Sequence, residues 1–175
     1  MNPTDEARFL ALLQEHRAIL YKVAFGYCRD RDDRADLVQE MAIQLWRSFE
    51  RYDGRVKFST WAYRVAMNVA ISHFRGEGRR VRDTLPLDAL AGELAADDPL
   101  AGAAGDNMRL LRRLIDGLDE LNRALVLLYL EGHTADEIAE ITGISPGNVT
   151  TRMNRVKNEL QRGFERLDTS QESPR

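Results

Sequence analysis

A single cysteine, Cys28, stands among 175 residues, so no intrachain disulfide can form, and a buried structural thiol is the expected role for it. Histidine is scarce as well, at three residues. His16, His73 and His133 lie too far apart in sequence to indicate a metal site, and the chain has no phosphate-cradling glycine loop and no nucleophile-and-base motif. Neither catalytic residues, a metal nor a cofactor are therefore expected. Long apolar runs are missing too: the longest, Ala124 to Leu130, falls well short of the roughly 20 residues that cross a bilayer. Met1 to Glu15 is too acidic and amphipathic for a signal peptide, so the expectation is a cytoplasmic protein without membrane insertion.

What is present, 43% hydrophobic and 30% charged residues without low-complexity bias, suits one or two small folded domains. Every periodic segment reads as helix, which makes the expected fold class all-α. Thr4 or Asn2 can cap a first helix whose core side is Phe9, Leu10, Leu13, Leu20 and Val23. Asp32 to Ala35 opens a second, with Leu37, Val38, Met41, Leu45 and Phe49 at helical spacing. Asp36, Gln39, Glu40, Ile43 and Arg47 fall away from that stripe, as a solvated face or a partner surface.

The helix expected from Phe58 to Arg75, stopped by Gly76 and Gly78, carries two faces. Ala62, Val65, Ala66, Val69 and Ala70 share a small apolar side. Opposite stand Trp61, Arg64, Asn68, Ile71, Ser72 and Arg75. A ring, two guanidiniums and an amide on one stripe suit single-stranded nucleic acid, where bases stack and phosphates pair with Arg. A buried Trp beside a solvated basic edge is the alternative. Charge favours the first: from Arg51 to Arg82, eight Lys or Arg face only Asp53 and Glu77, a net of +6, and this block includes Arg79 and Arg80. The following stretch, Asp83 to Asn107, has six acids and no base, a net of −6, so the overall −3 hides strong segregation.

That acidic stretch, rich in Ala, Gly and Asp with Pro86 and Pro99, reads as a flexible linker with one weak helical segment around Leu87 to Ala95. As a flexible coil it reaches about 25 to 30 Å, and fully extended roughly 85 Å, enough to serve DNA sites more than one helical turn apart. The expected organisation is a helical domain at 1–82, the linker at 83–107, a second helical domain at 108–168 and a tail at 169–175.

In the second domain, helices are expected over Met108 to Leu118 and Arg123 to Leu130, the latter closed by Gly132. Thr134-Ala135-Asp136-Glu137 is a capping box, in which hydroxyl and carboxylate satisfy each other's orphan amides. Ile138, Ala139 and Ile141 form the inner face of that short helix. Gly143 makes the turn, and Ser145-Pro146 starts the next helix with a cap followed by proline. This is helix-turn-helix spacing. Val149, Met153, Val156, Leu160 and Leu167 form the buried stripe of the second helix, while Asn148, Thr150, Thr151, Arg152, Asn154, Arg155 and Arg162 face or flank solvent, as a major-groove reader requires.

Three motifs in register, DLVQEMAIQLWRSF at Asp36 to Phe49, FSTWAYRVAMNVAISHFR at Phe58 to Arg75 and HTADEIAEITGISPGNVTTRMNRVKNEL at His133 to Leu160, make the chain resemble bacterial sigma factors of the extracytoplasmic-function type. The resemblance implies that the first motif docks on RNA polymerase core through Asp36, Gln39, Glu40 and Trp46, with Ile43 on the same face. It implies that the second melts and reads the start-proximal promoter element, with Trp61 and Asn68 near unstacked bases and Arg64, Arg75, Arg79 and Arg80 near phosphates. It gives the upstream element to Asn148, Thr150, Thr151, Arg152 and Arg155, and it implies an inhibitory anti-sigma factor.

Two departures stand out. The family commonly has Arg or Lys where this chain has Thr150, so its upstream sequence preference does not carry over. The Leu-Pro that often opens the second helix of the family's C-terminal domain is replaced by Leu118-Asp119-Glu120-Leu121-Asn122. From the residues alone, a polymerase-independent helix-turn-helix regulator and a purely protein-binding helical adaptor are the competing readings.

Overall fold

A computed structural model describes residues 3–76 and 106–171. Most of the expected linker, together with Arg79, Arg80, Gly78 and the last tail residues, lies outside the described residues. Among the described residues there are eight α-helices and no strand, divided between an N-terminal and a C-terminal compact unit.

The N-terminal unit holds α1 (Pro3–His16), α2 (Ala18–Tyr27), α3 (Arg31–Ser48), a 3-10 turn (Phe49–Arg51) and α4 (Phe58–Phe74). The single first helix expected from the sequence is in fact two. The chain tightens at Arg17, where the Leu20 amide donates to the Arg17 carbonyl at 3.0 Å. Pro3 takes the first helical turn, so Thr4 lies inside α1 rather than capping it. α3 starts one residue ahead of Asp32, and its cap is Asp30, whose carboxylate accepts from the amides of Asp32 at 2.8 Å and Asp33 at 3.3 Å.

Phe9, Leu20, Leu37, Met41 and Leu45 are fully buried and form the centre of this unit's core. Ala62, Ala66 and Ala70, also fully buried, let α4 lie close against α2 and α3. The buried face of α4 is rotated from expectation, since Tyr63 and Met67 are buried whereas Val65 and Val69 are only half-buried. Ile43 is a further correction. It is only 5% exposed, because α3 packs against both α2 and α4 and is covered on more than one side.

The C-terminal unit holds α5 (Asp106–Asp116), α6 (Glu120–Leu130), α7 (Ala135–Thr142) and α8 (Pro146–Gln171). The first two start a turn or less before the positions expected from the sequence. Asp119 caps α6 by accepting from the Asn122 amide at 2.8 Å, so this chain's replacement for the Leu-Pro start supplies a cap of its own. Buried Arg123 donates from Nη2 to the Asp116 carbonyl at 2.5 Å, tying the end of α5 to α6. The capping box of α7 forms as expected, with the Thr134 amide on Glu137 Oε2 at 2.8 Å and the Glu137 amide on Thr134 Oγ1 at 3.3 Å. Gly143, with φ of 78°, makes the left-handed turn that only glycine adopts without strain.

Candidate nucleic-acid interface

Two solvent-facing surfaces carry the expected nucleic-acid chemistry, one in each unit. On α4, Asn68 and Arg75 are exposed, and Trp61 and Arg64 are half-buried. The Trp61 ring belongs to an aromatic cluster that periodicity did not reveal. Its centroid lies 5.0 Å from Tyr52, 5.4 Å from Phe58 and 6.2 Å from Phe49. Tyr52 is itself fixed by donating its hydroxyl to the Val56 carbonyl at 2.8 Å. A stacking surface held by neighbouring rings loses little freedom when a base joins it. The only sequence hint of Tyr52 was its place beside Asp53-Gly54 ahead of the helix.

On α3, Asp36 is exposed, and Gln39, Glu40 and Trp46 are half-buried. Trp46 packs edge-on against Phe9, with centroids 5.2 Å apart and planes at 72°. Buried Ile43 does not join this surface. Glu40 is not a free carboxylate: its Oε2 lies 3.0 Å from His73 Nδ1, linking α3 to α4. That pair joins residues 33 positions apart, beyond any helical periodicity.

On α8, the helix-turn-helix arrangement is built as the sequence predicts. Ser145 Oγ accepts the Asn148 amide at 3.3 Å and caps the helix just ahead of Pro146. Val149, Met153 and Val156 are buried, which turns Asn148, Thr151, Arg152, Asn154 and Arg155 outward, all of them exposed. Leu160 is half-buried, and Leu167 lies where side chains are not described. The exposed Thr150 hydroxyl donates to the Pro146 carbonyl at 3.1 Å, leaving its oxygen lone pairs to accept from a base or a bridging water. Arg152 reaches sideways, with Nη1 3.4 Å from Asn122 Oδ1 on α6.

Among the described residues, no group of three or more His, Cys, Asp or Glu could hold a metal ion, and no helix is long and apolar enough to cross a membrane.

Known proteins match both halves of the chain. Residues 12–80 match the family model for sigma-70 region 2, and residues 108–160 match that for sigma-70 region 4. The chain is 32% identical over 146 residues to the ECF RNA polymerase sigma-E factor of Haemophilus influenzae, covering 78% of this chain and 77% of that one. It is 29% identical over 154 residues to the ECF RNA polymerase sigma factor SigE of Mycolicibacterium smegmatis, covering 86% of this chain but only 59% of that longer relative. Identity to the ECF RNA polymerase sigma factor SigX of Bacillus subtilis is 27% over 168 residues, covering 93% of this chain and 86% of SigX. In fold, the chain resembles CnrH, solved in complex with the cytosolic domain of CnrY, with a TM-score of 0.62, 20% identity and coverage of 91% and 89%. It also resembles the sigma factor RpoE of Bartonella quintana, solved in complex with the anti-sigma factor NepR, with a TM-score of 0.60, 19% identity and coverage of 91% and 96%.

Proposed function

The chain belongs to the sigma-70 family of sigma factors, of the extracytoplasmic-function type, and on that premise we propose that it binds RNA polymerase core in the cytoplasm and directs promoter-specific initiation. It is a non-enzymatic subunit that recognises two promoter elements and helps melt the start-proximal one. The observation that carries this reading is the pairing, in one chain, of a helix-turn-helix with an open reading face and a separate unit whose α4 exposes Asn68 beside Trp61.

The two faces divide the work. On α8, exposed Thr150, Thr151, Arg152 and Arg155, with Asn148 at the amino end, meet the edges and phosphates of an intact upstream duplex. On α4, Trp61 and Asn68 meet bases after the strands part, stacking and hydrogen bonding to edges that pairing hides, while Arg64, Arg75, Arg79 and Arg80 hold the backbone. Asp36, Gln39, Glu40 and Trp46 on α3 dock on polymerase core. Residues 1–82 and 108–168 act as the two functional domains, with 83–107 as their tether. An anti-sigma factor completes the partner set, covering these same faces when transcription is to be held off.

Transcription in vitro with purified polymerase core over a genomic promoter library tests the proposal. Core together with this chain should select a set of promoters sharing an upstream and a start-proximal element, and the chain alone should bind them weakly. Tight, specific duplex binding without core, and no initiation with it, would instead identify a polymerase-independent helix-turn-helix regulator.

A further inference from the structure

A short series of polar contacts joins the start of α6 to the outer face of α8. Asn122 gives its backbone amide to Asp119 Oδ1 at 2.8 Å and its side-chain Nδ2 proton to Asp119 Oδ2 at 2.6 Å. A helix cap needs only the first of these bonds. The second clamps the Asn122 side chain, and its amide oxygen then accepts from Arg152 Nη1 at 3.4 Å. The neighbours fix the orientation of that amide. A carboxylate only accepts and a guanidinium only donates, so a reversed amide would set oxygen against oxygen and N–H against N–H.

We infer that Asn122, braced by Asp119, is the positioning residue of Arg152 and sets the direction from which Arg152 meets the upstream promoter duplex. The inference rests on the reading of α8 as the upstream-element reader. An exposed arginine otherwise samples many rotamers, and ordering it on binding costs part of the affinity it brings. One neutral hydrogen bond removes some of that freedom in advance and leaves the other guanidinium protons for the DNA. The intervening amide also matters chemically. A carboxylate bonded directly to Arg152 would neutralise the charge that a phosphate or a guanine edge attracts, whereas Asp119 acts through a neutral relay. The arrangement depends on this chain's own Asp119-Glu120-Leu121-Asn122 segment, which stands where the family commonly has Leu-Pro.

The test uses the full chain with polymerase core on a promoter recovered from the library transcription, its upstream element randomised. Four variants are compared: Arg152→Ala, Asn122→Ala, the double variant and Asp119→Ser. Asn122→Ala retains the backbone cap on Asp119 Oδ1, so the C-terminal unit should melt near the parent temperature. It should weaken upstream-element binding by about twofold to tenfold, the worth of one net hydrogen bond. It should also change the base-preference profile, or the salt slope, at the place where Arg152→Ala changes it, and add nothing in the double variant. Asp119→Ser keeps a cap but releases the far end of the amide, and should shift the same profile less. Additive losses in the double variant, or an Asn122→Ala loss that appears only as a lowered melting temperature, would overturn the positioning role. If Arg152→Ala itself leaves upstream preference and salt slope unchanged, the assignment of Arg152 to DNA is refuted and the positioning claim falls with it.

Discussion

Asn68 stands exposed on α4 between the half-buried Trp61 and Arg64, so an extruded base can reach its amide without displacing core side chains. Because that edge is presented only after unpairing, Asn68→Ala should slow strand opening while leaving duplex binding nearly unchanged. Losing one base-edge contact of roughly 1 to 3 kcal/mol corresponds to about fivefold to 150-fold in opening. Permanganate reactivity on normal and pre-melted promoters reads this directly, and a pre-melted bubble should rescue the variant at least partly. A second contrast sits on α3, where Asp36 and Ile43 share one angular sector but differ in burial. Reversing charge with Asp36→Arg should lower affinity for polymerase core with a stability change under about 0.5 kcal/mol. Ile43→Ala should do the opposite, destabilising the N-terminal unit by about 2 to 5 kcal/mol through the cavity it leaves. Denaturant melts beside core-binding titrations separate the two, and equal stability losses would contradict the assignment of the two side chains to surface and core.

At the level of elements, what the sequence disclosed was what local chemistry specifies. The helix-turn-helix was legible because a capping box, a left-handed glycine and a Ser-Pro start each act within a few residues. The break at Arg17 was not, because the apolar stripes of α1 and α2 remain in phase across it and no Gly or Pro marks it. Ile43, the Tyr63 and Met67 face, and the pairs His73 with Glu40 and Arg152 with Asn122 depend on which helices meet, which periodicity along one helix does not contain. Two elements carry tests of their own. The amides of Asp32, first, and then Asp33 hold the Asp30 carboxyl below its ordinary value. A lowered folded pKa means that the ionised cap stabilises α3 above the usual carboxylate range and that this contribution fades as pH falls through the folded value. Asp30→Asn keeps a cap without the titration, so from about pH 5 to pH 3 the parent should lose more melting temperature than the variant. Parallel acid profiles would show that the Asp30 charge does not stabilise the helix. Gly163 on α8 marks the close approach of α5, since a Cβ there would lie 2.5 Å from Leu114 Cδ2. Leu114 can swing aside for one methyl, so Gly163→Ala should stay near neutral as better helix propensity offsets the displacement. Gly163→Leu should cost about 1 to 3 kcal/mol in a urea melt by forcing α5 away, and an unchanged midpoint would mean that the two helices do not pack as described.

For the molecule as a whole, the decisive quantity is how charge is distributed, not its total. The block from Arg51 to Arg82 carries a net of +6 and is followed directly by a segment from Asp83 to Asn107 with a net of −6. A polyacid tethered next to a basic block has a high effective concentration there, and on that ground the acidic segment is expected to compete with DNA phosphates for the same guanidiniums. Replacing residues 83–107 with an uncharged Gly and Ser linker of equal length removes that competitor and moves the net charge of the chain from −3 to +3. The free protein should then bind random duplex several-fold more tightly at about 50 mM salt, with a steeper fall in affinity as salt rises, because more phosphates are neutralised. By about 1 M salt, where the Debye length is roughly 3 Å, the two proteins should converge. Promoter selection with polymerase core should survive the exchange to the extent that the segment serves only as a tether of sufficient reach. A salt titration of non-specific binding, run beside promoter-specific transcription, measures both consequences. Identical binding isotherms at low salt would show that the acidic segment does not shield the basic block, and the charge segregation would then need another explanation than restraint of non-specific binding.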